Sequence, residues 1–162
     1  MRPTWTVVVC LLLWVWSGWA QKYSGPVPEK ADVPYLLHAD NLVETEVSQA
    51  KEEKRRDETL YRLPGASSPA RTPLAEPVFL LRSEKIGPES LELYRLEVKG
   101  GNREVVFQDK KRRGGPRPFR LVVTRLAERL YRIEVSENLG LENGQYSLTP
   151  SGSNEVFCFE VY

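Results

Sequence analysis

Leu141-Glu142-Asn143-Gly144-Gln145-Tyr146-Ser147-Leu148, followed by Pro150-Ser151-Gly152-Ser153-Asn154 and then Val156-Phe157-Cys158-Phe159-Glu160-Val161, is the stretch on which the fold turns. Two runs rich in aromatic and β-branched residues flank a cluster of Pro, Ser, Gly and Asn, which is the pattern of a β-hairpin. The reading extends over Asn138 to Tyr162 and closes the chain. Side chains alternate along a strand, so Phe157 and Phe159 share one face and Cys158 takes the other. The hairpin supplies core and closure, not chemistry.

Upstream, the same rhythm recurs. Leu91 to Val98 and Arg103 to Phe107 flank Lys99-Gly100-Gly101-Asn102, where glycine allows the positive φ that a tight hairpin needs. Tyr94, Leu96 and Val98 are expected to face in, with Arg95, Glu97 and Lys99 facing out. Phe119, Leu121 and Val123 alternate with polar or smaller neighbours, as do Tyr131, Ile133 and Val135. Leu126, Leu130 and Ile133 also fit one face of a helix, so residues 125–133 stay open between hairpin and helix, with the β-branched alternation favouring the hairpin. Val78 to Arg82 is a continuous apolar run, as in a strand buried on both sides. Thr59 to Leu63 is strand-like and is ended by Pro64-Gly65. Turn signals thus separate about eight short strands, and the helices that parallel α/β winding would need between them are missing. The expectation is an all-β chain: a single β-sandwich of about eight short antiparallel strands spanning residues 59–162.

Residues 21–58 read as an N-terminal leader. Gln21 to Asp32 has no period, and Val33 to His38 suits an edge strand with Pro34 at its start. Asn41 and Glu44 have capping-box spacing, with acids early and Lys51, Lys54, Arg55 and Arg56 late, so a short helix over about Leu42 to Arg56 is expected as an N-terminal arm. The alternating charges of Lys51 to Glu58 read as a solvated face. Ala66 to Glu76, rich in Ser and Pro, reads as a long surface loop that could also cover a sheet edge.

The first twenty residues carry one charge, Arg2, then the apolar run Val7 to Trp16 and the small-x-small ending Ser17-Gly18-Trp19-Ala20. That order is a secretory signal, with cleavage expected after Ala20; the competing readings are a retained anchor, although ten apolar residues are too few to span a bilayer, and a lipoprotein, although Cys10 lies within the apolar run between Val9 and Leu11. Removing residues 1–20 leaves 142 of the 162 residues, no Trp, a single Cys158, and 22 basic against 22 acidic side chains. Overall neutrality removes the global charge argument for nucleic acid. One cysteine allows no internal disulfide: Cys158 is either a small buried hydrophobe or the site of an intermolecular disulfide in an oxidising compartment.

The segment Leu141 to Leu148 resembles the L-x-x-G-x-Y-x-L strand entry of secreted bacterial β-sandwich modules of immunoglobulin-like or prealbumin-like type. In such a corner the tyrosine packs its ring inward while its hydroxyl finds backbone. The resemblance implies a fold and no functional residue.

Chemistry-bearing candidates are few. The only histidine, His38, has no second histidine or mature cysteine pair with which to build an ordinary zinc site. Ser67, Ser68, Ser151 and Ser153 lie in turn-like contexts without a nucleophile elbow. Gly100-Gly101 and Gly114-Gly115 lack the strand-to-helix context of a phosphate loop. Glu142 and Glu155 could be drawn together only by the fold, which keeps a hydrolase with converging carboxylates as an alternative. The sharpest local feature is Lys110, Lys111, Arg112, Arg113 and Arg117 on a Gly/Pro-rich turn. Its simplest reading is a solvated loop, and its functional reading is an anion-binding loop for a glycolipid, an acidic polysaccharide or an acidic protein. Carbohydrate recognition would have to rely on tyrosines such as Tyr23, Tyr35 or Tyr61. The sequence therefore points to an exported, periplasmic or extracellular, non-catalytic interaction or structural module with no cofactor, with a small hydrolase or a carbohydrate-binding module as alternatives.

Overall fold

The computed structural model describes residues 22–108, 115–136 and 140–162. Among them the chain is all-β, with one 3-10 turn at Pro88–Ser90 and thirteen strands in two sheets; nine of these strands begin at or after Glu58, close to the eight expected there, and four more come from the N-terminal part. None of the described residues forms a helix long and apolar enough to cross a membrane. Residues 1–20, where a secretory signal is expected, and Lys110 to Arg113 lie outside the described residues.

The smaller sheet has the order β10 (Leu121–Ala127), β11 (Leu130–Val135), β7 (Val78–Arg82), β1 (Pro34–His38) and β2 (Asn41–Glu44), all antiparallel. The hairpin reading of residues 125–133 is the one observed, closed by Glu128-Arg129 with Ala127 opposite Leu130. β1 is an interior strand here, paired with β2 on one side and β7 on the other, so the exposed edge falls to β2.

The larger sheet runs β3 (Glu46–Gln49), β13 (Glu155–Val161), β12 (Gly144–Pro150), β8 (Leu91–Lys99), β9 (Asn102–Gln108), β5 (Glu58–Pro64) and β4 (Lys51–Lys54), with the two-residue β6 (Arg71–Thr72) beside β13. The closing hairpin is β12–β13, with Leu148 opposite Phe157 and Tyr146 opposite Phe159. Gly100 and Gly101, at φ 56° and 76°, make the tight β8–β9 turn. β6 pairs parallel with Glu160 and Val161, so the Ser/Pro-rich loop does cover part of a sheet edge.

The expected helix over Leu42 to Arg56 is absent, and the same residues form β2, β3 and β4. Val43, Thr45 and Val47 repeat at a period of two, and each strand finds a ladder: β2 on β1, β3 on β13, β4 on β5. Ladder pairing overrides the helical bias of the Glu, Lys and Ala residues between them.

β3 and β4 are two halves of one extended segment, residues 46–54, and lie at opposite ends of the larger sheet's strand order. That sheet therefore curls into a half-barrel whose ends meet at Ala50, where the backbone N–H donates to the Asn154 carbonyl. Its convex face packs on the smaller sheet. Leu93, Tyr146, Leu148, Phe157 and Phe159 from one sheet and Leu36, Phe79, Leu81 and Ile133 from the other form the main core. Phe159 stacks on Tyr146 at 5.6 Å and meets Phe79 edge-on at 5.1 Å. The Tyr146 hydroxyl donates to the Glu142 carbonyl at 2.7 Å, so a buried ring keeps its polar end satisfied.

Candidate functional site

The concave face of the half-barrel is where the sequence departs from an ordinary apolar core. Register places opposing residues on the same face, and many of the inward positions are polar: Glu46, Ser48 and Glu52 from residues 46–54, Thr59 from β5, Arg103 from β9, Gln145 and Ser147 from β12. A second, small apolar cluster of Ala50, Leu63, Leu96, Val156 and Cys158 fills the middle. It divides the interior into a closed end and an open one.

The closed end is built on Arg103, whose side chain is 1% exposed. Nη1 and Nη2 donate to Glu46 Oε2 and Oε1 at 2.7 and 2.8 Å, Nη2 also donates to the Pro64 carbonyl at 2.9 Å, and Nε donates to the Gly65 carbonyl at 3.0 Å. The two-point geometry matches the planar fork of arginine. Burial is the largest single influence and would raise the Glu46 carboxyl, but the hydrogen bonds from Arg103 and Ser68 and the Arg103 charge together outweigh it and hold the group below its ordinary value. Beside this pair the Ser68 N–H donates to Gln145 Oε1 and the Ser68 hydroxyl to the Cys158 carbonyl. These groups are mutually satisfied and structural.

The open end is a cleft of about 330 Å³. Its wall is a run of rings: Tyr61 meets Phe107 edge-on at 5.6 Å, and Phe107 meets Tyr94 edge-on at 5.1 Å. Glu52 from β4 and Glu92 from β8 also line it, with Thr149 and Asn154 at its rim, and no basic side chain among the described residues does. The Tyr94 hydroxyl donates to Glu92 Oε2 at 2.9 Å; burial, and then this bond to a carboxylate, push its pKa well above the ordinary phenol value. Tyr94 thus stays a neutral donor and keeps Glu92 in place.

The residues singled out from sequence are scattered. Arg117 is exposed in the stretch after residue 114, while Lys110, Lys111, Arg112 and Arg113 lie outside the described residues. Gly115 and Pro116 border a second cleft of about 340 Å³ with Arg95, Glu97, Lys99 and Glu104, a mixed-charge lining. His38 is half-buried at the end of β1, opposite Asn41. Ser151 and Ser153 sit in the β12–β13 turn.

Glu142 and Glu155 do not converge. Glu142 precedes β12 and pairs with Arg95, whereas Glu155 begins β13 at the far end of the hairpin. Cys158 is fully buried in the half-barrel, and burial pushes its thiol up to about 12. An intermolecular disulfide would require that strand to open, so the buried-hydrophobe reading fits the fold.

Of the cleft residues, Tyr94 was legible as inward-facing and Tyr61 as an aromatic candidate. Glu52 and Glu92 were not. Glu52 lay within a charge run that looked solvated, and only its register opposite Tyr61 brings it to the cleft.

Comparison of the chain with protein-family models, with curated proteins and with solved structures finds no match.

Proposed function

We propose that this chain is an exported, non-catalytic β-sandwich module of the cell envelope or extracellular space that works by binding, with the mouth of the half-barrel as its contact site. One observation carries the reading: a concave cleft of about 330 Å³, walled by three touching rings and edged with polar groups, which is the composition and the lower end of the size range of small-ligand sites. The cations Lys110, Lys111, Arg112, Arg113 and Arg117, read from the sequence, are a second candidate contact, for an anionic partner.

The presence of two acids, Glu52 and Glu92, in one cleft favours a second reading, a small hydrolase using them as an acid/base pair. Their present partners support binding instead, since Glu92 accepts the Tyr94 hydroxyl and Glu52 lies 3.4 Å from Lys54 Nζ.

Retention of the full chain on immobilised envelope extract and acidic polysaccharide tests both surfaces. Phe107→Ala opens the cleft wall, and a variant with Lys110, Lys111, Arg112 and Arg113 changed to serine removes the basic run. Loss of retention in either variant assigns the corresponding surface. Turnover of chromogenic glycosides or esters that disappears in Glu92→Gln moves the cleft to the hydrolase reading.

A further inference from the structure

We propose that the half-barrel cleft is a site for an organic cation, an alkylammonium or guanidinium group on a short apolar stem. The inference rests on the reading of the cleft as the contact site and adds the chemistry of what enters it.

Charge is the first argument. The mature chain is balanced, with 22 basic and 22 acidic residues, yet the cleft lining holds two carboxylates and no basic group among the described residues. Local potential there is negative against a neutral background, and a concave low-dielectric wall focuses it. The nearest cation, Lys54, reaches Glu52 from the rim with its side chain 80% exposed, so an exposed pair of this kind yields readily to a better-placed cation.

The aromatic wall is the second argument. Tyr61, Phe107 and Tyr94 stand at 87° and 83° to one another, so the run offers both ring edges and ring faces toward a ligand. A cation attracted to a ring face gains most where it is partly desolvated and a carboxylate stands nearby. An ammonium or guanidinium head would lie between Glu52 and Glu92, and its methylene stem would lie along Phe107 and Val105. A neutral sugar would find rings too, but would leave Glu92 with only the neutral Tyr94 hydroxyl and Glu52 with only its exposed partner Lys54, and an anion would be repelled.

The same chemistry could come from a free amine or from a lysine or arginine side chain of a partner. The test therefore titrates the full chain with choline, with its neutral isostere 3,3-dimethylbutan-1-ol, with an acetylated lysine-containing tetrapeptide and with a neutral disaccharide, following backbone amide shifts by NMR. Choline or the peptide is expected to bind with shifts confined to β4, β5, β8 and β9, and about tenfold more tightly than the neutral isostere. Preference for the peptide identifies a protein partner, and preference for choline a free amine. Glu52→Gln and Glu92→Gln, the latter keeping an acceptor for Tyr94, should each lower affinity several-fold without changing the far-ultraviolet dichroism. Equal binding of choline and its isostere, or binding of the disaccharide alone, overturns the cation assignment and leaves the cleft as a contact site. No cleft shift with any probe overturns both.

Discussion

Arg103 and Glu46, 57 residues apart in sequence, meet in a two-point ion pair inside the half-barrel. β3 is an edge of the larger sheet and β9 lies near its other end, so the pair bridges the concave side and holds the curl. The guanidinium also takes two backbone carbonyls at Pro64 and Gly65, where β5 ends. A sheet with an apolar concave face could have flattened against another layer; this one is pinned by a buried charge pair whose partners are fixed in direction.

Replacing Arg103 by Met should therefore cost more than a typical core substitution. It leaves the Glu46 carboxylate and two carbonyls without their donor. Breaking a buried pair costs about 3–5 kcal/mol, and the lower end applies because the Glu46 side chain is 23% exposed. The double variant Arg103→Met/Glu46→Gln should recover a large part of the loss. Urea unfolding of the two variants against the parent checks this, and a single variant within 1 kcal/mol of the parent would show that the pair is dispensable.

The acid limb of stability follows from two carboxylates. Burial would raise Asp32, but backbone N–H groups of Ile86, Lys85 and Glu84 at 2.8–3.1 Å together outweigh it, and Glu46 is lowered against its own burial by Arg103 and Ser68 together. Both folded-state values lie below the unfolded ones. Their contribution is thus complete above the unfolded carboxylate range and is lost as pH falls through the folded values. The urea midpoint should hold steady from neutrality to about pH 5 and then fall toward pH 2. Asp32→Asn should flatten that fall and lower the plateau; an unchanged slope in this variant would remove Asp32 from the account.

How much of this was readable in advance depended on what each strand buries. Leu148, Phe157 and Phe159 face an apolar core, and Gly100-Gly101 announces its turn, so those hairpins were visible. Residues 46–54 turn Glu46, Ser48, Ala50 and Glu52, of which only Ala50 is buried, toward the half-barrel's partly polar interior, so their inward face looks like a solvated helix face. Curling the sheet brings Glu52 and Glu92 to one cleft, and no local spacing encodes that. Tyr146 was legible down to its hydroxyl, because a buried phenol next to a turn needs a nearby carbonyl.

Cys158 should be unreactive in the folded chain. Its side chain is fully buried, burial pushes the thiol up to about 12, and the thiolate is the reactive form. In a Cys10→Ser background, an aromatic disulfide reagent at pH 8 should label nothing within minutes under native conditions and one thiol per chain in urea. Rapid native labelling, or a dimer on a non-reducing gel, would mean that β13 opens on that timescale.

Hairpin turns offer the last prediction, because four of them, the β12–β13 turn through Gly152 included, place residues in the left-handed region with different side chains. Gly100 and Gly101 bear this at φ 56° and 76°, with open space where a Cβ would stand, whereas Ala39 and Arg129 bear it at φ 53° and 58°. A left-handed residue with a Cβ costs about 1–2 kcal/mol, part of which is offset by the greater freedom glycine has in the unfolded chain. Ala39→Gly should therefore stabilise by about 0.5–1 kcal/mol, while Gly100→Ala and Gly101→Ala should each destabilise by a similar amount without any clash. Thermal unfolding of the three variants separates conformational strain from packing. A destabilised Ala39→Gly would mean that the alanine methyl at the β1–β2 turn makes a contact worth more than the strain it carries, and that the turn is held by packing and not by backbone preference.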